Sequence, residues 1–171
     1  MSPDWGRLAE LAPDDLLTAL LAEVDAVMAG QSGPEEDGLL LTLPEPLRVM
    51  WLVSWLDFEV SQGSLLAYFY NAHGRHAALA VGVLRQMGAN RMADVVAEAA
   101  ASYGRASAEW AARRAELDAV GESAVVRPYK GLSNASELTR LTGEYWQAAD
   151  DDEWGSRLDA YLREQVRVLA E

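Results

Sequence analysis

The 171-residue sequence predicts an all-α fold: a single-domain multi-helix bundle with a buried central helix. Three observations carry this expectation. Apolar residues recur at helical spacing through most of the chain. One segment, Pro46 to about Gln62, is apolar on nearly every side, as a helix in the middle of a bundle must be. No internal repeat, low-complexity tract or linker divides the sequence, and a chain of this length buries roughly 70% of the surface its unfolded form exposes, enough for one domain over 1–171.

Residues 1–30 read as an N-terminal helical extension. Pro13 suits the first helical position, and Asp14 and Asp15 favour the positive end of the helix dipole. Leu16, Leu17, Leu20, Leu21, Val24, Val27 and Met28 follow at helical spacing until Gly30. The stretch 31–38, QSGPEEDG, combines glycine, proline and three successive carboxylates and reads as an exposed loop. The central helix comes next and ends at Gly63. Leu65, Leu66, Tyr68, Phe69 and Tyr70 form a short helix closed near Asn71, a residue that tolerates left-handed backbone.

Leu79, Val83, Leu84 and Met87 build a further helix, with Gly88 as its C-terminal cap. Met92, Val95, Val96, Ala99 and Tyr103 continue at helical spacing. Ser107 to Val120 is helical by propensity, and its thin apolar face of Trp110, Leu117 and Val120 implies partial exposure. Residues 121–134 read as a loop with a short β-like run. Asn134 with Glu137 resembles a capping box ahead of Leu138, Leu141, Tyr145 and Trp146. The last helix follows Asp150 to Glu153, with Trp154, Leu158, Tyr161, Leu162, Val168 and Leu169 on one face and Glu153–Arg157 and Asp159–Arg163 paired on the other.

Composition narrows the function classes. With 27 Asp and Glu against 14 Lys and Arg, the formal net charge is −13 and the pI near 4.5. Such a charge repels nucleic acid and anionic membranes, and points to basic partners or to solubility. Lys130 is the one lysine, which reflects codon bias. Without cysteine there are no disulfides, thiolate metal sites or thiol nucleophile. No leader-like N-terminus and no apolar run of ~20 residues is evident, so a cytoplasmic location is expected.

Catalytic chemistry has little to work with. His73 and His76 are the only histidines, and no Gly-x-Ser-x-Gly elbow or phosphate-binding glycine loop is present. A metal or enzyme site would need His73 and His76 to gather carboxylates such as Glu59, with Tyr70 nearby. His-x-x-His is common by chance, and polar residues around a helix start are the better reading. No cofactor, catalytic residue or metal ligand is therefore assigned. Tyr68, Phe69 and Tyr70 could stack bases only beside a cationic groove, so they are read as mostly core, partly rim.

The string Glu59-Val60-Ser61-Gln62-Gly63-Ser64-Leu65-Leu66-Ala67-Tyr68-Phe69-Tyr70-Asn71 resembles the signature of a bacterial family of nineteen-kilodalton DNA-mimic proteins, grouped as a domain of unknown function. Glu59, Val60, Gly63, Tyr68, Phe69, Tyr70 and Asn71 match the motif, and Leu84, Met87, Gly88 and Ala89 answer to a later turn. Ser61 and Gln62 stand where the family favours asparagines, Ser64 replaces a glycine, Leu65 a phenylalanine and Ala67 a glutamine. The resemblance covers about 40–170 and marks a divergent member. It implies a non-enzymatic protein that, as a homodimer with an acidic surface, occupies the DNA-binding face of a basic transcription regulator. The motif is structural, so that activity would lie on charges elsewhere.

Two acidic clusters are the candidates for that surface: Glu35, Glu36 and Asp37, and Asp150, Asp151, Asp152 and Glu153. The latter also suit a helix N-terminus, and the former a solvated loop. The quantity of charge is adequate. B-DNA carries one charge per ~1.7 Å, so the excess matches roughly 22 Å of duplex and a dimer about 44 Å. An immunity or antitoxin-like protein neutralising a basic toxin is the alternative with the same electrostatics; a toxic neighbouring gene would distinguish it.

Overall fold

The computed structural model describes residues 3–71, 73–120 and 131–171. Among them are ten α-helices and no strand: α1 (Trp5–Ala9), α2 (Pro13–Met28), α3 (Gly33–Thr42), α4 (Glu45–Gln62), α5 (Leu65–Tyr70), α6 (Ala77–Gln86), α7 (Asn90–Arg105), α8 (Ser107–Val120), α9 (Ala135–Asp151) and α10 (Trp154–Ala170), with a 3-10 turn at His73–His76. Helix α4 is central, packing against α2, α5, α6 and α10. Helix α7 lies between α6 and α9, and α1 packs on α10. No described helix is long and apolar enough to cross a membrane.

Local chemistry accounts for the ends of these helices. Pro13 opens α2, whose Leu16, Leu20, Val24 and Met28 are buried at four-residue spacing, and Gly30 leaves the helix at φ 76°. Helix α6 closes in a Schellman motif. The Gly88 N–H donates to the Arg85 carbonyl (3.0 Å), the Ala89 N–H to the Leu84 carbonyl (2.9 Å), and Gly88 takes φ 77° as expected. At the end of α4, a Cβ on Gly63 would stand 2.8 Å from the Ala67 Cβ, so the break requires glycine for space.

The central helix buries Leu47, Val49, Met50, Trp51, Leu52, Val53, Leu56 and Val60 together with Glu59, as expected, although Phe58 is 53% exposed. Its polar groups reach out to the rest of the chain. Asp57 accepts from the Tyr145 hydroxyl of α9 and, at 3.1 Å, from the Trp154 indole N–H of α10. Glu45 accepts from the Tyr161 hydroxyl of α10 at 3.0 Å. Glu59 accepts from the Asn71 side-chain amide at 2.7 Å, which makes the match at Glu59 and Asn71 a structural tie between α4 and the end of α5.

Several expectations require correction. Residues 33–42 are helix α3 and not a loop: Pro34 sits in the first turn with Glu35 and Glu36, and Leu40 is buried. The proline and carboxylates there are a helix start, which the adjacent glycines obscured. Asn134 forms no capping-box hydrogen bond; its side chain is buried between the Trp110 indole N–H (3.0 Å) and the Ser102 carbonyl (3.1 Å). Trp110 is fully buried rather than partly exposed.

On α10 the buried face is Leu158, Leu162 and Val166, whereas Val168 and Leu169 are exposed; Trp146 of α9 is also largely exposed. Arg163 pairs with Asp159 (3.0 Å), but Arg157 donates to the Asp152 carbonyl instead of pairing with Glu153. Asn71 has φ −78°, so it closes α5 without left-handed backbone. Residues 121–130, with the β-like run, and the side chains of His73, Leu117 and Val120 lie outside the described residues.

Ser64 occupies φ 105°, ψ 175°, a region that is essentially glycine-only and costs about 1–3 kcal/mol. Its hydroxyl accepts from the Leu66 N–H at 3.2 Å, a cap that glycine forfeits at only a few tenths. Ser64→Gly should therefore stabilise the protein by about 1 kcal/mol in urea unfolding; destabilisation would show the cap to dominate.

Asp57 yields a second prediction. Burial pushes its carboxyl above the ordinary 3.8, against the lowering effect of the Tyr145 and Trp154 hydrogen bonds. The folded state thus holds this proton more tightly, and the associated stability is complete below 3.8 and lost as pH rises through the folded value. Asp57→Asn should remove that falling limb from a stability-versus-pH profile, and an unchanged profile would contradict the assignment.

Candidate partner interface

The charge of this chain is unevenly placed along it. Residues 8–47 contain nine carboxylates (Glu10, Asp14, Asp15, Glu23, Asp25, Glu35, Glu36, Asp37 and Glu45) and no lysine or arginine. Among the described residues, Glu10, Asp14, Asp15, Glu23, Asp25 and Glu35 form no ion pair, and all but the half-buried Glu23 are exposed. The apolar stripe of α2 that packs on α4 turns Asp14, Asp15 and Asp25 to solvent. Beside Asp25, Leu21 and Phe58 line a shallow cleft of about 310 Å³ between α2 and α4.

Elsewhere about half of the described carboxylates are matched by arginine. Arg85 pairs with Asp94, Arg140 with Glu98 and Glu144, and Arg167 with Glu164. Arg105 and the Ser102 hydroxyl both bind Glu137, tying α7 to α9 and holding that carboxyl below its usual range, chiefly through the Ser102 bond. Surface pairs of this kind add little stability. They do, however, cancel the local field, so the free acids of 8–47 stand out.

The structure separates the two clusters anticipated from sequence. Glu35 is exposed in the first turn of α3. Glu36 is only 13% exposed, and Arg75 lies 2.9 Å from both Glu36 Oε1 and Asp37 Oδ1. In the second cluster Asp150 and Asp151 end α9, Asp152 is its C-cap, and Glu153 directly precedes α10 as its N-cap. Asp150 and Glu153 are exposed, Asp151 pairs with Arg91, and Asp152 is buried. Asp152 Oδ2 accepts from the Met92 N–H at 3.0 Å, satisfying a free donor in the first turn of α7. Glu153 takes left-handed φ 50° at the α9–α10 corner.

The remaining motif residues serve the core. Tyr68 and Phe69 are buried, and burial drives the Tyr68 hydroxyl pKa upward. Phe69 stacks on Tyr103 at 4.8 Å. Tyr70 is half-buried under the Arg114 guanidinium, which donates to the Phe69 and Tyr70 carbonyls at 2.8 and 2.5 Å. The acidic neighbours of His76 are Asp37 and Glu36, at 3.2 and 3.5 Å, while Glu59 bonds to Asn71 and the side chain of His73 lies outside the described residues. Burial, then Arg75, lowers the His76 pKa and favours neutral imidazole. The sequence carries no signal for this contact, because Glu36 and Asp37 lie about forty residues away in a segment read as loop.

The distinction between structural and surface acids is measurable. Asp152→Ala leaves the Met92 N–H without its acceptor and should cost about 1–2 kcal/mol in chemical denaturation. The Asp150→Asn/Glu153→Gln double variant should stay within about ±0.5 kcal/mol of the parent. Equal effects from the two variants would contradict this division.

Similarity to known proteins fits this architecture. No curated protein and no solved structure matches the chain. A family model described as DMP19-like protein matches residues 41–165. The matched span runs from the end of α3 to within α10 and includes the buried central helix, the Gly63 break, the aromatic helix α5 and the Gly88 turn. It holds seventeen carboxylates against twelve Lys and Arg, whereas residues 1–40 hold nine against one. On that match, which takes in most of the chain and its central helix, the protein belongs to the DMP19-like family.

Proposed function

We propose that this protein is a non-enzymatic DNA mimic that occupies the DNA-binding surface of a basic transcription regulator. The observation that carries the reading is the stretch 8–47, which contains no lysine or arginine and in which six of nine carboxylates form no ion pair among the described residues, while Arg75 and Arg48 reach Glu36, Asp37 and Glu45. These charges ride on helices packed against a rigid core, so they are held in place before a partner arrives. Preorganised acids avoid part of the ordering cost that flexible acidic tails meet on binding. Asp150 and Glu153, at the α9–α10 corner, are the exposed remainder of the second cluster and a second place where a basic partner could touch.

Family membership supports the mimic role at the level of the scaffold. The surface that performs it here is assigned to α2, the start of α3 and the preceding turn. Most of the excess negative charge precedes the family-matched span, so this chain would have built its acidic face by extension at the N-terminus. A second copy of the chain would double the acidic length, in keeping with a homodimeric mimic.

The test begins with affinity capture of partners from cytosol, followed by displacement with duplex DNA. DNA should compete with this protein for the recovered regulator. Changing Glu10, Asp14, Asp15, Asp25 and Glu35 to their amides should weaken binding at low salt and flatten its salt dependence, because screened attraction between exposed charges is what salt removes. The control changes Asp94, which pairs with Arg85, to its amide and should leave both quantities nearly unaltered. Binding that DNA does not displace would overturn the mimic reading, and an unchanged salt slope in the amide variant would overturn the assigned surface.

A further inference from the structure

Glu36 and Asp37 from α3 meet His76 from the turn before α6, beside Trp51 of α4. The His76 side chain is 5% exposed, and its ring stands edge-on to the Trp51 indole with centroids 4.9 Å apart. Its Nε2 is buried with no hydrogen-bond partner, and the buried Glu36 Oε1 likewise makes no hydrogen bond, although it is ion-paired with Arg75 at 2.9 Å. Nε2 lies 3.2 Å from Asp37 Oδ1 and 3.5 Å from Glu36 Oε1, and all three donor atoms fall within 4.8 Å of one another. Among the described residues this is the one group of three such donors.

We propose that Glu36 Oε1, Asp37 Oδ1 and His76 Nε2 form a binding site for a first-row transition-metal dication of the Zn²⁺ type, with Arg75 as the cation that takes its place when no metal is bound. The spacing suits this. Ligand bonds of about 2.0–2.1 Å at tetrahedral angles set donors about 3.3 Å apart, close to the separations around Nε2. A hydrogen bond from Nε2 would be aimed at one oxygen, whereas here the atom faces two and is in bonding geometry with neither. An imidazole with two carboxylates favours transition metals over Mg²⁺ or Ca²⁺, which prefer all-oxygen shells.

Arg75 lies 2.9 Å from both carboxylates but keeps about a third of its side chain in solvent, so it can swing away. A cleft of about 390 Å³ between Met28, Gln31, Trp51 and Trp55 opens beside Glu36 and offers a route in. Three protein ligands leave a fourth position for water. A metal there would pin α3 to the 73–76 turn and remove the charge of two carboxylates from the acidic stretch.

The test uses chelator-treated full-length protein without an affinity tag, titrated calorimetrically with ZnCl₂ and, in parallel, MgCl₂. One Zn²⁺ per chain and no Mg²⁺ uptake is the expected result. Glu36→Gln and Asp37→Asn, which keep side-chain shape, should each weaken Zn²⁺ binding by about tenfold or more. Arg75→Ala should tighten it by a comparable factor, since the competing cation is gone. Absence of one-to-one Zn²⁺ binding, affinity unchanged in the two amide variants, or failure of Arg75→Ala to tighten it would each overturn the site. The readout needs no protein partner, so it stands apart from the DNA-mimic reading.

Discussion

Burial of α4 is the constraint on which the rest of this structure depends. A helix whose apolar residues cover most of its circumference must be enclosed, and α2, α5, α6 and α10 enclose it. Enclosure then dictates the fate of its carboxylates, because a buried charge without partners is prohibitively costly. Asp57, Glu45 and Glu59 are met by Tyr145 and Trp154, by Tyr161, and by Asn71 respectively. Those contacts fix where α9, α10 and the end of α5 sit along α4. The core is thus specified by polar pairing at a few points and by apolar area everywhere else.

Much of this was legible in the sequence, for a reason that also explains what was not. Helical periodicity, proline at Pro13 and glycine at Gly88 are local signals, each read within one turn of the residues that cause it. The buried face of α2 and the Schellman turn after α6 follow directly. The failures are non-local. Asn134 looked like a cap because Glu137 stands three residues on, yet Trp110 and Ser102 take its side chain. Asp152 looked like part of a charge run, yet it caps a helix sixty residues earlier in the chain. Nothing within a turn of either residue distinguishes these outcomes.

The candidate surface shows the same limit in another form. Acidic runs attract attention in a sequence because adjacent carboxylates are conspicuous. Adjacency is a poor guide to field, however, since Asp151, Asp152, Glu36 and Asp37 are each drawn into an ion pair or a hydrogen bond. The exposed acids left without a local cation include the scattered ones of α2 and its approach. What matters to a partner is where cations are missing, and residues 8–47 supply none of their own, with only Arg75 and Arg48 reaching Glu36, Asp37 and Glu45 from outside.

Helical placement gives those scattered acids a usable order. On α2, Asp14 and Asp25 are eleven residues apart, so they return to within about 20° of the same direction after a rise of about 16 Å. Phosphates along one strand of B-DNA advance by ~3.4 Å per step, so a single helix cannot reproduce a continuous backbone. It can offer the few charges that a partner's cationic side chains contact. A protein of this design would imitate the contact points on DNA, and only those, and its selectivity among basic proteins would follow from the spacing that α4 imposes on α2 through the buried stripe Leu16, Leu20, Val24 and Met28.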